Sequence, residues 1–385
     1  MTIWIVLPAA AVCVTLLYYA AATLAAVRFA RRLNSPLSPL PKVPPRVAML
    51  KPLHGSSNSL AANLVSFLEL AYPRIDFYFG VHNYEDAAAE VPVALRQRYQ
   101  YANITLVVGE EPDCSNRKIS KLIKMADRAD KAEIFVLSDA DVSVERDYLK
   151  RIVGELMSDE KIGIVTCAYR ARPGGSFASR LEALYVNTDF LPQILLAEMI
   201  EPMHYALGAT IAIKRKVLEA AGGFRAVKNM LADDFYLGNF TNAQGYEIKL
   251  SDTLVTLTCE EKSFHDFWHH QLRWARTYRT VRPVSIATIV MHGPFWALIL
   301  LAMTHFSAAA VATLVLVLSA RLAMSAAIVS RVLKMPEMLR ELWIVPFKDL
   351  IMTGVWFASL FSNKVKWAGR LFEVNRGGVM REVKG

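Results

Sequence analysis

The sequence predicts an α/β domain held between membrane segments. Short β-branched and aromatic runs alternate with amphipathic helical stretches through the middle of the chain. Long uncharged stretches lie at its two ends, with basic residues beside them. Of the 385 residues, 54% are hydrophobic, and the mean hydropathy is +0.27, against roughly 45–50% apolar content in ordinary soluble domains.

Residues 1–32 read as a transmembrane anchor. Ile3 to Phe29 carry no charge before Arg28, and about 20 apolar residues suffice to cross a bilayer core. A signal peptide would begin with basic residues; here Arg28, Arg31, Arg32, Lys42 and Arg46 follow the apolar run instead. By the positive-inside rule they place the next region in the cytoplasm. Residues 33–46 form a stiff linker with prolines at Pro36, Pro39, Pro41, Pro44 and Pro45.

Residues 47–263 carry the alternating pattern. Strands are expected at Val47–Leu50, Phe77–Val81, Ile104–Val108, Ile134–Leu137 and Ile162–Ala168, with helices at Leu60–Leu70, Val91–Gln100 and Ile119–Ala129. That order predicts a parallel sheet. Residues 264–283 read as a basic, aromatic interfacial helix. Residues 284–385 hold the rest of the membrane part. Val284 to Ala320 contain no Asp, Glu, Lys or Arg, too long for one helix, so a hairpin turning near His305–Ser307 is expected. Trp343 to Phe361 are interrupted by Pro346, Lys348 and Asp349. A full span there would carry Lys364, Lys366, Arg370, Arg376, Arg381 and Lys384 to the outside, so a re-entrant or interfacial helix is preferred over a third segment.

The net charge is +9. The basic residues cluster beside apolar stretches, and no helix–turn–helix or finger spacing appears, so the membrane surface is favoured over nucleic acid. Cys13, Cys114, Cys167 and Cys259 form no C-x-x-C pair, which argues against a zinc site or a disulfide framework.

Four short elements have the residue types for chemistry. Ile134 to Val142 is an apolar strand ending in Asp139-Ala-Asp141. Ligands of open α/β sheets bind at carboxyl ends of strands, and two carboxylates there suit a divalent cation that bridges to phosphate. The plain alternative is a polar strand-end turn. Asp233-Asp234 is a second acidic pair, able to accept a proton if one pKa is raised, or simply the start of a helix. In Phe264 to Arg279, Arg273 has the fork geometry for pyrophosphate and Trp274 the surface to wall a pocket. An interfacial aromatic belt would read the same way. Finally, Asn116-Arg-Lys118 precedes a helix, with Lys118 either facing phosphate or solvent.

Lys51-Pro-Leu-His-Gly55, Leu68 to Pro73, Asn116-x-Lys118, Asp139-Ala-Asp141, Ala232-Asp-Asp234 and Arg273-Trp274 together, in this order, resemble the ceramide glucosyltransferase family, which includes bacterial hopanoid-biosynthesis glycosyltransferases. The resemblance implies a GT-A type nucleotide-sugar-binding domain over residues 47–263, a divalent metal (Mg²⁺ or Mn²⁺) and inversion at the anomeric carbon. It implies metal ligation by Asp139 and Asp141, and a general base at Asp234. Donor contacts would come from Asp86, Asn116, Lys118, Asp139, Arg273 and Trp274. Asp233 stands where the family has Glu, and His270 where its last motif has Gln or Arg, so both are candidate acceptor-side residues. Asn83 replaces a common aspartate. Tyr185 to Pro192 lacks the His of the ceramide enzymes. Its Asn187-Thr-Asp-Phe190 text looks more like the hopanoid branch, which implies transfer of N-acetylglucosamine from UDP-N-acetylglucosamine to bacteriohopanetetrol. The alternatives are a ceramide glucosyltransferase using UDP-glucose and a processive polysaccharide synthase. A multi-pass protein of the inner (cytoplasmic) membrane is expected, its catalytic domain cytoplasmic.

Overall fold

The computed structural model describes residues 2–55, 57–367, 369–375 and 377–383. Eight strands form the main sheet: β1 (Val47–Pro52), β2 (Ile75–Val81), β3 (Asn103–Val108), β4 (Ile134–Ser138), β5 (Val142–Ser143), β6 (Ile162–Pro173), β7 (Thr210–Lys214) and β8 (Glu247–Cys259). Their spatial order is β3-β2-β1-β4-β7-β6-β8-β5. All five expected strands are present, as are helices Leu60–Leu68, Glu90–Arg98 and Arg117–Arg128.

The sheet is mixed, which corrects the expectation of a parallel one. β1 pairs parallel with β2 and β4, but β7 runs antiparallel between β4 and β6. The physical reason lies in the β6–β7 connection. Helices Phe177–Tyr185 and Leu191–Ile200, joined by a π-helical turn at Val186–Phe190, leave β6 and return the chain to the same end of the sheet. β7 is five fully buried residues, a run too short for periodicity to assign.

The order of the first strands positions the site. From β1 the chain moves outward to β2 and β3, then returns to β4 on the other side of β1. Such a switch opens a crevice at the carboxyl ends of the two central strands. Asp139 follows β4 directly, and Lys51 sits near the end of β1.

Among the described residues, Ile5–Arg32, Ala308–Val332 and Pro336–Ser359 are long and apolar enough to cross a membrane. Pro283–Met291 and Gly293–Met303 pass the same test only as a pair, bent by 59°. The expected turn lies at His305 and Phe306, both with positive φ, but the arm before it is broken by that bend. The first span is tied to the sheet domain by Arg32, which donates to Glu198 and Asp252, each at 2.7 Å. Both ends of 336–359 are tied to residues outside the candidate spans. Lys334 donates to Asn34 at 3.5 Å. Beyond the other end, Arg279 donates to the Ser362 carbonyl at 3.0 Å, and a small sheet (Lys364–Trp367, Arg370–Val374, Met380–Glu382) packs Val365, Phe372, Val374 and Met380 on Leu231. Of the basic tail, Arg376 and Lys384 lie outside the described residues.

The helix Asp233–Ala243 carries the second acidic pair at its first turn. Its Gly238 lies so close to the chain at Tyr205–Ala206 that an added Cβ would meet backbone atoms at 2.5–2.7 Å. Glycine to alanine inside a helix ordinarily stabilises by about 1 kcal/mol. Backbone overpacking here costs about 1–3 kcal/mol, so the clash decides the sign. Gly238→Ala is expected to lower the thermal midpoint of the detergent-solubilised protein by about 2–6 °C; a raised midpoint would show the contact to be loose.

Candidate functional site

A single cavity of about 1580 Å³ runs from the carboxyl ends of β1 and β4 toward the membrane helices. Asp139, Asp141, Lys118, Asp233, Asp234, His270, Arg273 and Trp274 all line it. Residues more than a hundred positions apart in the sequence therefore share one space.

Lys118 is the pivot of the acidic end. Its Nζ lies 2.6 Å from Asp139 Oδ1 and 3.7 Å from Asp233 Oδ2. Burial alone would lower its pKa, but Asp139 and then Asp233 outweigh that and raise it. Asn116 holds the lysine's helix in place. It caps Arg117–Arg128, accepting from the Lys118 and Ile119 amides at 3.0 and 3.1 Å. Its amide donates to the Met230 carbonyl at 2.9 Å and to Asp233 at 3.3 Å. Asn116 thus ties the lysine's helix to the Met230–Asp233 segment without itself lining the cavity.

Asp86 also stands back from the cavity wall. Its carboxylate accepts from the Gly55 amide at 2.8 Å and the Ala88 amide at 3.0 Å, and lies 3.2 Å from His54 Nδ1. Burial opposes ionisation, but these donors prevail and lower its pKa. It shapes the loop after β1, whose His54 does line the cavity.

Asp141 opens onto the cavity, yet the surrounding cleft and then the nearby Asp139 charge push its carboxyl up to about 7. A carboxylate in that condition is readily held ionised by a cation. Asp139 and Asp141 offer two oxygen ligands at a strand end, which fits Mg²⁺ or Mn²⁺ completing its shell with phosphate and water. Lys51, unassigned by its sequence, supports this end from below. Fully buried, it donates to the Asp139 carbonyl at 2.9 Å and to Ser138 Oγ at 3.2 Å, with its ammonium 3.6 Å from the centre of the Phe67 ring. Burial lowers its pKa to about 7.

Asp234 has its carboxyl raised to about 6, by burial first and by Asp233 second. The Phe235 amide donates to its Oδ1 at 2.8 Å. Its other oxygen lies where a side chain at Gly208 would stand, 2.8 Å from the would-be Cβ. The loop before β7 thus requires glycine for Asp234 to occupy this position.

The aromatic helix Phe264–Val281 closes the remaining side. Trp274 meets the Phe190 ring at 5.5 Å, and Phe190 stacks on Tyr169 at 4.9 Å. His270 Nδ1 lies 3.2 Å from both Glu182 Oε1 and Glu261 Oε1. Burial would lower the imidazole pKa, but the carboxylates outweigh it and raise it to about 9. Gln271 donates to both Glu182 oxygens at 2.9 and 2.8 Å. Among the described residues, Glu182, Glu261 and His270 form a trio whose ligand atoms come within 4.8 Å of one another. A protonated His270 is shared by both carboxylates and offsets one of their two charges, and Gln271 donates to Glu182 beside it, so the trio reads as a contact that docks the helix. Glu182 and Glu261 were not visible as partners in the sequence, because only folding brings them to position 270.

Three comparisons bear on these features. Ceramide glucosyltransferase 3 of Caenorhabditis elegans is 25% identical over 232 residues, covering 60% of this chain and 50% of the relative. Ceramide glucosyltransferase 1 of the same organism is 23% identical over 252 residues, covering 66% and 53%. The chain therefore spans about half the length of the curated relatives it matches. A solved mannosyltransferase, PcManGT from Pyrobaculum calidifontis in complex with GDP-Man and Mn2+, superposes with a TM-score of 0.51 at 22% identity, over 92% of this chain and 99% of that one; this likeness shows the fold. The model of glycosyl transferase family 21 matches residues 7–380. With almost its whole length inside that match, the chain belongs to glycosyl transferase family 21.

Proposed function

We propose that this chain moves a sugar from a nucleoside-diphosphate sugar onto a lipid hydroxyl, with inversion, at the cytoplasmic face of a membrane. One observation carries the reading: the cavity is continuous from Asp139 and Lys118 at the sheet end, past Asp234 and Arg273, to residues of the membrane helices. A water-borne donor and a membrane-borne acceptor need such a connection.

Asp139 and Asp141 would hold a divalent cation, whose charge, when bound, offsets that of the leaving diphosphate. Lys118 and Arg273 add fixed positive charge at the same place. Asp233, held by Asn116 and Lys118, keeps the lysine oriented. Asp86 and Asn116 act on the donor by shaping the loops that bear His54 and Lys118. Asp234, ionised above its raised pKa, accepts the proton of the lipid hydroxyl as that oxygen attacks the anomeric carbon from the face opposite the diphosphate. Trp274 and His270 wall the acceptor side. No covalent enzyme intermediate is required.

For donor and acceptor, we infer UDP-N-acetylglucosamine and bacteriohopanetetrol, on the likeness of Asn187 to Phe190 to the hopanoid branch. A second reading, UDP-glucose and ceramide, is favoured by the names of the Caenorhabditis elegans relatives. Polysaccharide synthesis is disfavoured, because the described residues hold three, or at most four, segments long and apolar enough to span, few for a polymer channel. Residues 47–263 form the catalytic domain, and residues 336–359, whose two ends are tied to residues outside the candidate spans, form a re-entrant segment. Arg28, Arg31 and Arg32 set the cytoplasmic side, and the inner membrane is the inferred location.

Four results are expected. Purified enzyme given several UDP-sugars and both lipid classes yields, by mass spectrometry, one monoglycosylated lipid; a ladder of longer products would indicate polymerisation. Asp234→Asn retains nucleotide-sugar binding by calorimetry but loses transfer by about 10²-fold or more. In the unmodified enzyme the transfer rate rises with pH through about 6, because Asp234 is protonated below that value and cannot take the proton; a flat profile from pH 5 to 7 removes it from the base role. Chelation by EDTA stops transfer, and Mg²⁺ or Mn²⁺ restores it.

A further inference from the structure

The cavity does not end in hydrocarbon. Tyr18, Arg321 and Asp349 each lie near the middle of a helix long and apolar enough to cross a membrane, and all three line the cavity. They converge with Asp189, on the π-helical turn, and with Lys348. Arg321 donates to Asp189 at 2.8 Å, to Asp349 at 2.8 Å and to the Thr188 carbonyl at 2.8 Å. Lys348 donates to Asp349 at 2.7 Å and also to Asp189.

Two cations thus balance two anions, and three of the four side chains are closed off, at 0–8% exposure. Asp189 differs: 20% of its side chain remains open, in the cavity that Arg321 and Asp349 also reach. Tyr18 and Gln193 line the same end. Among the described residues, the four charges pair with one another and not with Tyr18 or Gln193.

An acyl chain is a poor occupant here. It would strip Asp189 and the Tyr18 hydroxyl of any further partner at a depth where water is scarce. Hydrocarbon has another exit, since Ile200, Val284, Ile286 and Leu360 line the cavity and are exposed at its edge. A mostly apolar pocket with a few fixed polar groups selects ligands by their hydrogen bonds, and ionisable groups at membrane depth mark functional sites.

We propose that the membrane-level end of the cavity is a hydrogen-bonding subsite for a second hydroxyl of the lipid acceptor, which donates to the open face of Asp189 beside Tyr18 and Gln193. This rests on the glycosyl-transfer reading and narrows its acceptor to lipids bearing at least two hydroxyls, one attacked near Asp234 and one held below. Arg321, Lys348 and Asp349 fix Asp189 in place without touching the lipid.

The test compares a long-chain lipid diol with its matched monohydroxy analogue, as acceptors for the full-length purified enzyme. kcat/KM is measured for the unmodified protein, Tyr18→Phe and Gln193→Leu. These two positions leave the ion-pair array intact, and circular dichroism and thermal unfolding check their folding. The unmodified enzyme should favour the diol by about tenfold or more. Each substitution should cut that preference several-fold while leaving the monohydroxy rate unchanged. Equal rates on the two lipids, or substitutions that slow both alike or neither, would overturn the subsite while leaving glycosyl transfer standing. Absence of transfer to any lipid would remove the underlying reading instead.

Discussion

Asp139, Asp141, Asp233 and Asp234 crowd the sheet end of one cavity, and Lys118 stands between two of them. Much of the surrounding structure serves that crowding. Asn116 caps the helix that presents the lysine and at the same time restrains Asp233. Lys51 comes up through the core beneath Asp139. Even so, Asp141, Asp233 and Asp234 are left with raised pKa values, burial being the first cause of each. In a site of this kind, excess negative charge is a store of affinity for cations and protons. Among these under-compensated carboxylates are the two that the proposed chemistry needs, Asp141 for a metal and Asp234 for a proton.

The second constraint is mechanical. The site must stay registered against the membrane helices. Arg32 fastens the first span to Glu198 and Asp252, on elements of the sheet domain. Arg321 reaches across to the π-helical turn at Thr188 and Asp189. Asn187, one residue earlier, exchanges hydrogen bonds with the backbone of Ala171 on β6, at 2.8 and 2.9 Å. The turn is therefore pinned on one side by the sheet and on the other by the helix that bears Arg321. The residue it presents, Phe190, packs against Trp274 beside Arg273. Extra residues in a helical turn are a common device for aiming side chains at functional sites.

Much of this was legible in the chain. The strands of the first half, their alternation with helices, the linker and the uncharged ends follow from hydropathy period and proline placement, which are local properties. The short motifs that flag Asp139, Asp141, Asp234 and Arg273 are also local. β7 was not legible, because five buried residues between Gly208 and Arg215 suit a strand or a buried helix equally. Neither was its antiparallel direction, which depends on where the Phe177–Ile200 connection returns. Lys51 marked a motif but no role, and Glu182 and Glu261 carried no signal, since an isolated charge is ordinarily a solvated one and only the fold sets these beside their partners.

By itself the sequence determined the membrane ends, the α/β character of the middle and the residue types available for chemistry, because each depends on side chains within a few positions of one another. Tertiary structure decided which of them meet. It set Asp86 and Asn116 behind the cavity wall rather than in it, turned His270 into a cation between two glutamates, and carried Asp189 to Arg321 across more than a hundred residues. Those outcomes depend on burial and on long-range contacts, and a one-dimensional pattern contains neither.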